Sequence, residues 1–184
     1  MVIRTRIFHS LVVIVFFCWN CPQWVEAAGL PKILPARGFN VILQPDKLSK
    51  SPDGAIEVLS KLDQNILITD YSFDGSKAQK WSSQQIRKLK FSHGRPKIVL
   101  AYISIGEAET YRSYWRKKWN IKKTRPNFIL EENPNWEGNF KVKYWNPTWQ
   151  SIVMEIVHEI IEQGFDGVFL DIVDGFEYFE FEAK

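Results

Sequence analysis

The chain has 184 residues, 45% of them hydrophobic, and a formal net charge of +3 at pH 7. This balance suits one folded globular domain and excludes an intrinsically disordered chain. Without a Gly-rich phosphate loop or a known binding motif, the small positive charge gives no ground for a nucleic-acid partner. The basic side chains between residues 116 and 125 are interpreted as a solvated face: Arg116, Lys117, Lys118, Lys122, Lys123 and Arg125.

Residues 1–28 have the layout of a secretory signal peptide. Arg4 and Arg6 precede an apolar run from Leu11 to Cys18, and the small residues near Ala28 suit cleavage. The run is short for a membrane span, although an uncleaved anchor stays open. We therefore expect a secreted or periplasmic protein with no membrane contact after cleavage.

Both cysteines, Cys18 and Cys21, fall within this signal segment. A mature chain cleaved after Ala28 would have no cysteine, which excludes a disulfide framework, thiol catalysis and cysteine-bound zinc. His158 is expected on the wet face of a helix and His93 in a turn. We therefore predict no metal site and no cofactor.

Beyond a Pro-rich lead at 30–35, apolar runs alternate with helical patterns. The predicted strands are Phe39–Leu43, Asn65–Tyr71, Lys97–Gly106, Asn127–Leu130 and Val168–Leu170. The predicted helices are Ala55–Leu62, one from Ser82 or Ser83 to Leu89, and a long one beginning at Pro147. Residues 107–118 are interpreted as a helix or a structured loop. This alternation predicts βα units and a parallel sheet, an α/β fold.

The long helix has a predicted apolar face and a wet face. The apolar face comprises Ile152, Val153, Ile156, Val157, Ile160 and Ile161. Gly164 follows as a natural helix-ending residue. The next run, Val168–Leu170, is apolar on both sides, which predicts a strand buried on both faces.

Asp171 ends this strand, at the position where α/β folds place ligands and catalytic groups. A structural role as a cap of the next loop or helix stays open. Other polar residues follow the carboxyl ends of earlier strands: Asp70, Ser104, Glu107 and Glu109, with Asp174 after the last strand. Because isolated buried acids are costly, the set favours a hydrated cleft or catalysis, although Asp70 or Asp174 alone could be a cap.

Three sequence blocks carry a resemblance to a known family. They are residues 101–115 (AYISIGEAETYRSYW), 133–150 (NPNWEGNFKVKYWNPTWQ) and 164–174 (GFDGVFLDIVD). Together they resemble glycoside hydrolase family 114, whose type activity is endo-α-1,4-polygalactosaminidase. The resemblance implies a (β/α)8 TIM-barrel fold over residues 36–184, and a polysaccharide or oligosaccharide substrate.

The same resemblance implies roles for individual residues. Asp171 matches a catalytic carboxylate of the family, the expected nucleophile, and Glu109 is taken as a second catalytic candidate. The resemblance adds Tyr102, Ser104 and Arg112 as expected substrate-binding residues, and the strand-end pattern and aromatic character add Asp70, Glu107, Trp145 and Asp174. Arg112 could aim Glu109, bind a sugar hydroxyl or form a structural salt bridge. The chain departs from the better-studied members at Glu107, where they tend to have a small residue.

Aromatic side chains near the last two blocks are candidates for stacking on sugar rings: Trp136, Tyr144, Trp145 and Trp149. We expect at least two of them to be core or loop anchors instead. The chain contains eight Trp, six Tyr and thirteen Phe, so it has aromatics enough for both roles.

The chain is short for the implied fold, since a TIM barrel needs about 250 residues. We expect about five βα units, with the family's second catalytic carboxylate beyond Lys184 and a lesser possibility that Glu107 or Glu109 replaces it. The first hypothesis is a secreted glycoside hydrolase that cleaves an amino-sugar or related polysaccharide, with the activity of this short chain left open. The alternatives are a non-catalytic carbohydrate-binding or scaffold protein and a degraded product that does not fold.

Overall fold

The computed structural model describes residues 38–92 and 94–182. The predicted signal segment, the Pro-rich lead and His93 lie outside these residues. The described strands are β1 (Phe39–Ile42), β2 (Ile66–Asp70), β3 (Phe91–Ser92), β4 (Arg95–Pro96), β5 (Ile98–Ser104), β6 (Glu107–Glu109), β7 (Ile129–Glu132), β8 (Asn139–Val142) and β9 (Gly167–Asp171). The described helices are α1 (Pro52–Ser60), α2 (Ser83–Lys90), α3 (Pro147–Gln163) and α4 (Phe176–Glu182).

Four strands form a parallel sheet in the order β1-β2-β5-β9. The spatial order of these strands is also their order along the chain. Helix α1 connects β1 to β2, α2 lies between β2 and β5, and α3 lies between β5 and β9. The α/β architecture predicted from the alternation is confirmed. The prediction of a fifth parallel strand at Asn127–Leu130 is wrong, because this segment pairs with β8 in a separate antiparallel sheet.

Helix boundaries follow local sequence signals. Ser82 caps α2 in a capping box, in which its side chain accepts from the Gln85 N–H and the Gln85 side chain accepts from the Ser82 N–H. Pro147 opens α3 after Asn146, whose side chain accepts from the Thr148 N–H. Gly164 ends α3 with φ of +88°, a left-handed conformation that glycine adopts without a Cβ penalty.

The helices cover one face of the parallel sheet. Sheet residues Leu67, Val99, Ala101 and Ile103 are buried there with Ile56, Leu59, Ile86, Leu89, Ile156 and Ile160 from α1, α2 and α3. On α3, Ile161 was expected in this core but is 65% exposed, so its assignment to the apolar face is wrong. The turn of the helix carries Ile160 inward and leaves its neighbour outside.

β9 differs from its prediction. All five of its residues are half-buried rather than fully buried. The reason is its position at the edge of the described sheet. Val168 and Leu170 pack against the helix-covered core, while Phe169 lies on the opposite face with Tyr102.

A long excursion between β5 and α3 forms a second small layer. Its three strands make an antiparallel sheet in the order β6-β8-β7. The predicted helix or loop at 107–118 is wrong at its start, because residues 107–109 form strand β6. The predicted strand near Leu130 exists, but it joins this antiparallel sheet. Aromatic residues fill the layer: Trp119, Phe128, Phe140 and Trp149.

Candidate active site

The candidate site lies where β2, β5 and β9 end. The register pairs Asp70 with Tyr102 and Ser104 with Asp171. Paired residues of neighbouring strands point to the same side of a sheet, and Tyr102 and Ser104 are two residues apart. All four therefore share the face opposite the helix-covered core, at the carboxyl end of the sheet.

Asp171 and Tyr102 are directly joined. The Tyr102 hydroxyl donates to Asp171 Oδ2 at 2.6 Å. Tyr102 is 7% exposed, whereas Asp171 is half-buried. Burial raises the pKa of Tyr102, and the negative charge of Glu109 and the hydrogen bond to Asp171 raise that pKa further. Tyr102 is therefore a permanent donor to Asp171 at physiological pH.

Arg112 connects two other carboxylates of the site. Its NH1 lies 2.8 Å from both Asp70 Oδ1 and Asp70 Oδ2, and its Nε lies 2.6 Å from Glu109 Oε2. The side chains of all three residues are nearly inaccessible, at 1% for Arg112 and 4% for each acid. The structural salt bridge considered for Arg112 is present, and it is buried.

The charges of this cluster do not cancel, since one guanidinium faces two acids. Burial raises the pKa of Glu109, against the opposing effect of Arg112 and of the Tyr111 hydroxyl, which donates to Glu109 Oε1 at 2.5 Å. Burial also tends to lower the pKa of Arg112, but Asp70 and Glu109 outweigh it and hold that pKa well above its ordinary value. Arg112 is therefore always charged.

Aromatic rings enclose the guanidinium. The Cζ atom of Arg112 lies 4.7 Å from the ring centroid of Tyr71 and 4.7 Å from that of Tyr111. Burial is the largest cause that raises the pKa of Tyr71 to about 12. The buried Tyr71 hydroxyl and the buried NH2 of Arg112 have no hydrogen-bond partner among the described residues. The rings exclude water from the ion pairs and so strengthen them.

Glu107 lies in a separate arrangement. It is 3% exposed, and its two carboxylate oxygens accept from the side-chain amides of Asn133 at 2.7 Å and Asn139 at 3.3 Å. Its own N–H donates to Ser104 Oγ at 3.2 Å. Glu107 thus fastens β8 and the β7–β8 connection to the end of β5, and the structure does not join it to Asp171.

A strained turn follows Asp171. Ile172 has φ of +56°, an uncommon conformation for a β-branched residue. Its carbonyl oxygen lies so close to Gly106 that a Cβ at that glycine would approach it to 2.4 Å. The Ile105 N–H donates to the Asp171 carbonyl at 3.1 Å, which ties the turn to the exit of β5. Asp174 is exposed, and its carbonyl accepts from the Glu177 N–H at the start of α4.

The stacking candidates divide into exposed and buried rings. Trp136 is 62% exposed and Trp145 is 50% exposed. The ring centroid of Trp145 lies 4.6 Å from that of Phe179 in α4, so Phe179 already covers part of the Trp145 ring. Trp149 is buried and donates from Nε1 to the Ile105 carbonyl at 2.8 Å, so it anchors the core.

Three tyrosines of the site were not predicted from the sequence. Tyr71 and Tyr111 enclose Arg112, and the Tyr114 hydroxyl accepts from the Glu109 N–H at 2.8 Å. Each lies close in sequence to a charged site residue, and that adjacency was the available signal. Among the described residues, no group of three or more His, Cys, Asp or Glu side chains could hold a metal ion.

A parallel sheet with helices on one face and acids at its carboxyl edge is an α/β arrangement found in part of a (β/α)8 barrel. The profile of glycoside-hydrolase family GH114 matches residues 35–183, so the chain belongs to that family. The resemblance drawn from the three sequence blocks is confirmed.

The chain is also similar to uncharacterized proteins of other organisms. An uncharacterized protein of Thermotoga maritima is 41% identical over 179 residues, which cover 97% of this chain and 50% of the relative. An uncharacterized protein of Methanocaldococcus jannaschii is 46% identical over 123 residues, covering 67% of this chain and 34% of the relative. The chain thus spans between 34% and 50% of these relatives' lengths.

Two solved structures share the fold. Aspergillus fumigatus Ega3 in complex with galactosamine matches with a TM-score of 0.53 and 20% identity, over 79% of this chain and 49% of that one. The glycoside hydrolase domain of PelA from Pseudomonas aeruginosa matches with a TM-score of 0.52 and 16% identity, over 77% and 47%. Both are TIM-barrel domains, so the predicted fold class is confirmed over the part of the barrel that this chain covers.

Proposed function

We propose that this chain belongs to a secreted glycoside hydrolase that cleaves a polysaccharide containing amino sugars or related units, with Asp171 as a reacting carboxylate. The observation that carries the proposal is the Tyr102–Asp171 pair at the strand ends. It supports a carboxylate that is oriented yet accessible, as an attacking group must be.

Glycosidic cleavage uses two carboxyl groups, one protonated to assist the leaving group and one ionised to attack the sugar or activate water. Tyr102 occupies Oδ2 of Asp171, and Oδ1 accepts no hydrogen bond from the described part of the chain. That oxygen is therefore available to the anomeric carbon or to a water molecule. A separation of about 5–5.5 Å between the two carboxyl groups would give retention, and about 6.5–9.5 Å inversion.

Glu109 has a different environment. Both of its carboxylate oxygens already accept hydrogen bonds, from Arg112 and from Tyr111, and the residue is 3% exposed. This favours a positioning role over a reacting role. We propose that Glu109, Arg112 and Asp70 form a buried ion-pair network that holds β2 and the loop after β6 beside Tyr102.

The charge of the site favours an amino sugar. Asp70 and Glu109 are buried and paired with Arg112, whereas Asp171 and Asp174, at and just after the end of β9, are partly or fully exposed and form no ion pair with the described residues. An ammonium group on the sugar would be attracted to the remaining negative charge. The solved Ega3 complex contains galactosamine, which agrees with this class of ligand for that protein.

We also propose that the protein is exported. The ground is the signal-peptide layout of residues 1–28, which precede the proposed folded domain at residues 36–184. No helix among the described residues is long and apolar enough to cross a membrane. Sequencing the N-terminus of the protein recovered from the culture medium or the periplasm tests the cleavage after Ala28.

The activity is tested by incubating the protein with polygalactosamine and measuring new reducing ends. We expect release by the wild-type protein and a loss of about a hundredfold or more in Asp171→Asn, because removing a reacting group costs several kcal/mol of transition-state stabilisation. Asp63→Asn is the matched control, since Asp63 precedes β2 at the opposite end of the sheet. Glu109→Gln should lower the rate less than Asp171→Asn.

Two results would contradict the hydrolase proposal. Equal release by wild type and Asp171→Asn would remove Asp171 from the reaction. Binding of the polymer without release, measured by calorimetry, would favour the alternative of a carbohydrate-binding or scaffold protein.

A further inference from the structure

The positive charge of this chain is concentrated in one segment of the excursion between β5 and α3. Residues 110–130 hold seven Lys and Arg side chains and no Asp or Glu. The remaining 163 residues hold 17 basic and 21 acidic side chains. Without this segment the chain would be acidic, so its net positive charge depends on one segment of the sequence.

Five of these cations are exposed and close together in sequence, and we name them the basic platform: Arg116, Lys117, Lys118, Lys122 and Lys123. Their backbone is ordered into two short 3-10 turns, Lys117–Asn120 and Lys122–Thr124. The Thr124 hydroxyl closes the segment by donating to the carbonyls of Lys118 and Ile121.

The aromatic layer fixes the base of the platform. Trp119 is 6% exposed and packs edge-on against Trp115 and Phe128, with ring centroids 5.5 and 6.1 Å away. Arg125 Nε donates to the Trp119 carbonyl at 2.7 Å, and its Cζ lies 4.2 Å from the ring centroid of Phe140. The platform therefore presents its cations from a fixed surface rather than from a flexible tail.

The four lysines of the platform form no ion pair with any described residue. Elsewhere in the chain, partly buried lysines do find acids: Lys80 lies 2.6 Å from Glu159 and Lys90 lies 2.7 Å from Asp166. Like charges held together on a rigid surface repel one another. An anionic partner would remove this repulsion.

Ile121 identifies the kind of anion. It lies between the two lysine pairs, and it is 54% exposed. An apolar side chain surrounded by cations suits a lipid surface, where the cations meet phosphates and the apolar group enters the headgroup layer. A nucleic acid or an acidic polysaccharide offers the charges but no apolar layer for Ile121.

In place of the solvated face and the absence of membrane contact expected from the sequence, we propose that the basic platform docks the protein on an anionic phospholipid surface, with Ile121 inserted among the headgroups. Arg112 of the candidate site precedes the platform by only four residues, so docking holds the site beside that surface. The platform and the acidic site have opposite charges, so a single polymer would not suit both.

The test is sedimentation of the whole chain with vesicles of phosphatidylcholine containing phosphatidylglycerol, against vesicles of phosphatidylcholine alone. The neutral vesicles report attachment through uncharged groups, including the apolar run Leu11–Cys18. We expect salt-sensitive binding that requires phosphatidylglycerol. Each basic side chain near such a surface contributes about fivefold in affinity, so replacing the four lysines by Gln should weaken this binding by more than about a hundredfold.

A matched control replaces four exposed lysines outside the platform, Lys47, Lys50, Lys61 and Lys88, by Gln. It should keep most of the binding, and an equal loss in both variants would overturn the platform as the site. Absence of any phosphatidylglycerol dependence would also overturn the proposal.

Ile121→Ser separates a lipid surface from a soluble polyanion. It should weaken vesicle binding several-fold and leave retention on immobilised polygalacturonate unchanged. Unchanged vesicle binding by this variant would overturn the lipid assignment in favour of a general polyanion contact.

Discussion

Arg112 is the residue on which the buried part of the candidate site depends. Removing one partner of a buried ion pair leaves an uncompensated charge and typically costs about 3–5 kcal/mol. Arg112→Met would leave Asp70 and Glu109 without their cation, so we expect a loss of that size in the free energy of unfolding at pH 7, measured by urea denaturation. Arg87→Met, at an exposed position of α2, should change stability by no more than about 0.5 kcal/mol. A loss below about 1 kcal/mol in Arg112→Met would contradict the network as a structural element.

Glu109 makes stability depend on pH in a definite direction. Its pKa in the folded protein is raised above the ordinary value of 4.5, mainly by burial. The folded state then binds the proton more tightly than the unfolded state does. The contribution of Glu109 to stability is therefore fully present below pH 4.5 and is lost as the pH rises through the folded pKa.

Glu109→Gln removes this titration and keeps the shape of the side chain. We expect the stability of the variant relative to wild type to rise as the pH increases above 4.5, in urea unfolding at a series of pH values. Carboxyl groups outside the Asp70–Arg112–Glu109 network are distant from the change and cancel in the comparison, so the difference reports Glu109 and the two residues coupled to it. A difference that is constant or that shrinks with pH would show that the folded-state pKa is not raised.

At the scale of elements, the exit of β5 and the exit of β9 hold each other in place. A Cβ on Gly106 would lie 2.4 Å from the Ile172 carbonyl oxygen and 2.5 Å from its Cγ2. Gly106→Ala must therefore push the turn after Asp171 away, and we expect a loss of about 1–3 kcal/mol in thermal or urea unfolding. Gly167→Ala is the control, since its nearest contact would be Leu100 Cδ2 at an ordinary 3.4 Å. Similar losses in both variants would show that the turn is not uniquely constrained by Gly106.

The elements also show which parts of the structure the sequence could predict. Pro147 and Gly164 were sufficient to bound α3, because their backbone preferences act locally. The pairing partner of a short apolar run is not local, so the strand near Leu130 was assigned to the wrong sheet. Residues 107–109 have little apolar character and were not expected to be a strand. They are stabilised by pairing with a distant strand, β8, in which Lys141 lies opposite Glu107 and Asn139 lies opposite Glu109.

The same distinction holds in the site. Strand ends predicted Asp70, Ser104 and Asp171 on one edge, because the carboxyl ends of parallel strands meet there. Tyr102 was expected only from the family resemblance. The pairing of Arg112 with both Asp70 and Glu109 depends on the path of the loop after β6. That path cannot be predicted from the spacing of residues in the sequence. Glu107, expected to bind substrate, instead accepts from Asn133 and Asn139, whose arrival depends on the β7–β8 connection.

At the scale of the whole molecule, the parallel sheet is well buried at its centre and open at its edges. In β2, Leu67, Ile68, Thr69 and Asp70 are all at most 4% exposed, whereas Phe39 of edge strand β1 is 60% exposed. Amide protons in the central strands are shielded on both sides by neighbouring strands, so their exchange requires unfolding of the sheet. Amides of β1 and β9 that point away from the sheet have no such ladder partner among the described strands.

We therefore expect hydrogen exchange to be slowest in β2 and β5 and to track the free energy of global unfolding there. The outward amides of β1 and β9 should exchange orders of magnitude faster, because local fraying suffices to expose them. Exchange measured residue by residue by NMR provides the comparison, and the inward amides of β9, which bond to β5, serve as the internal control. Outward β9 amides as protected as those of β5 would mean that another strand covers this edge in solution, directly beside Asp171.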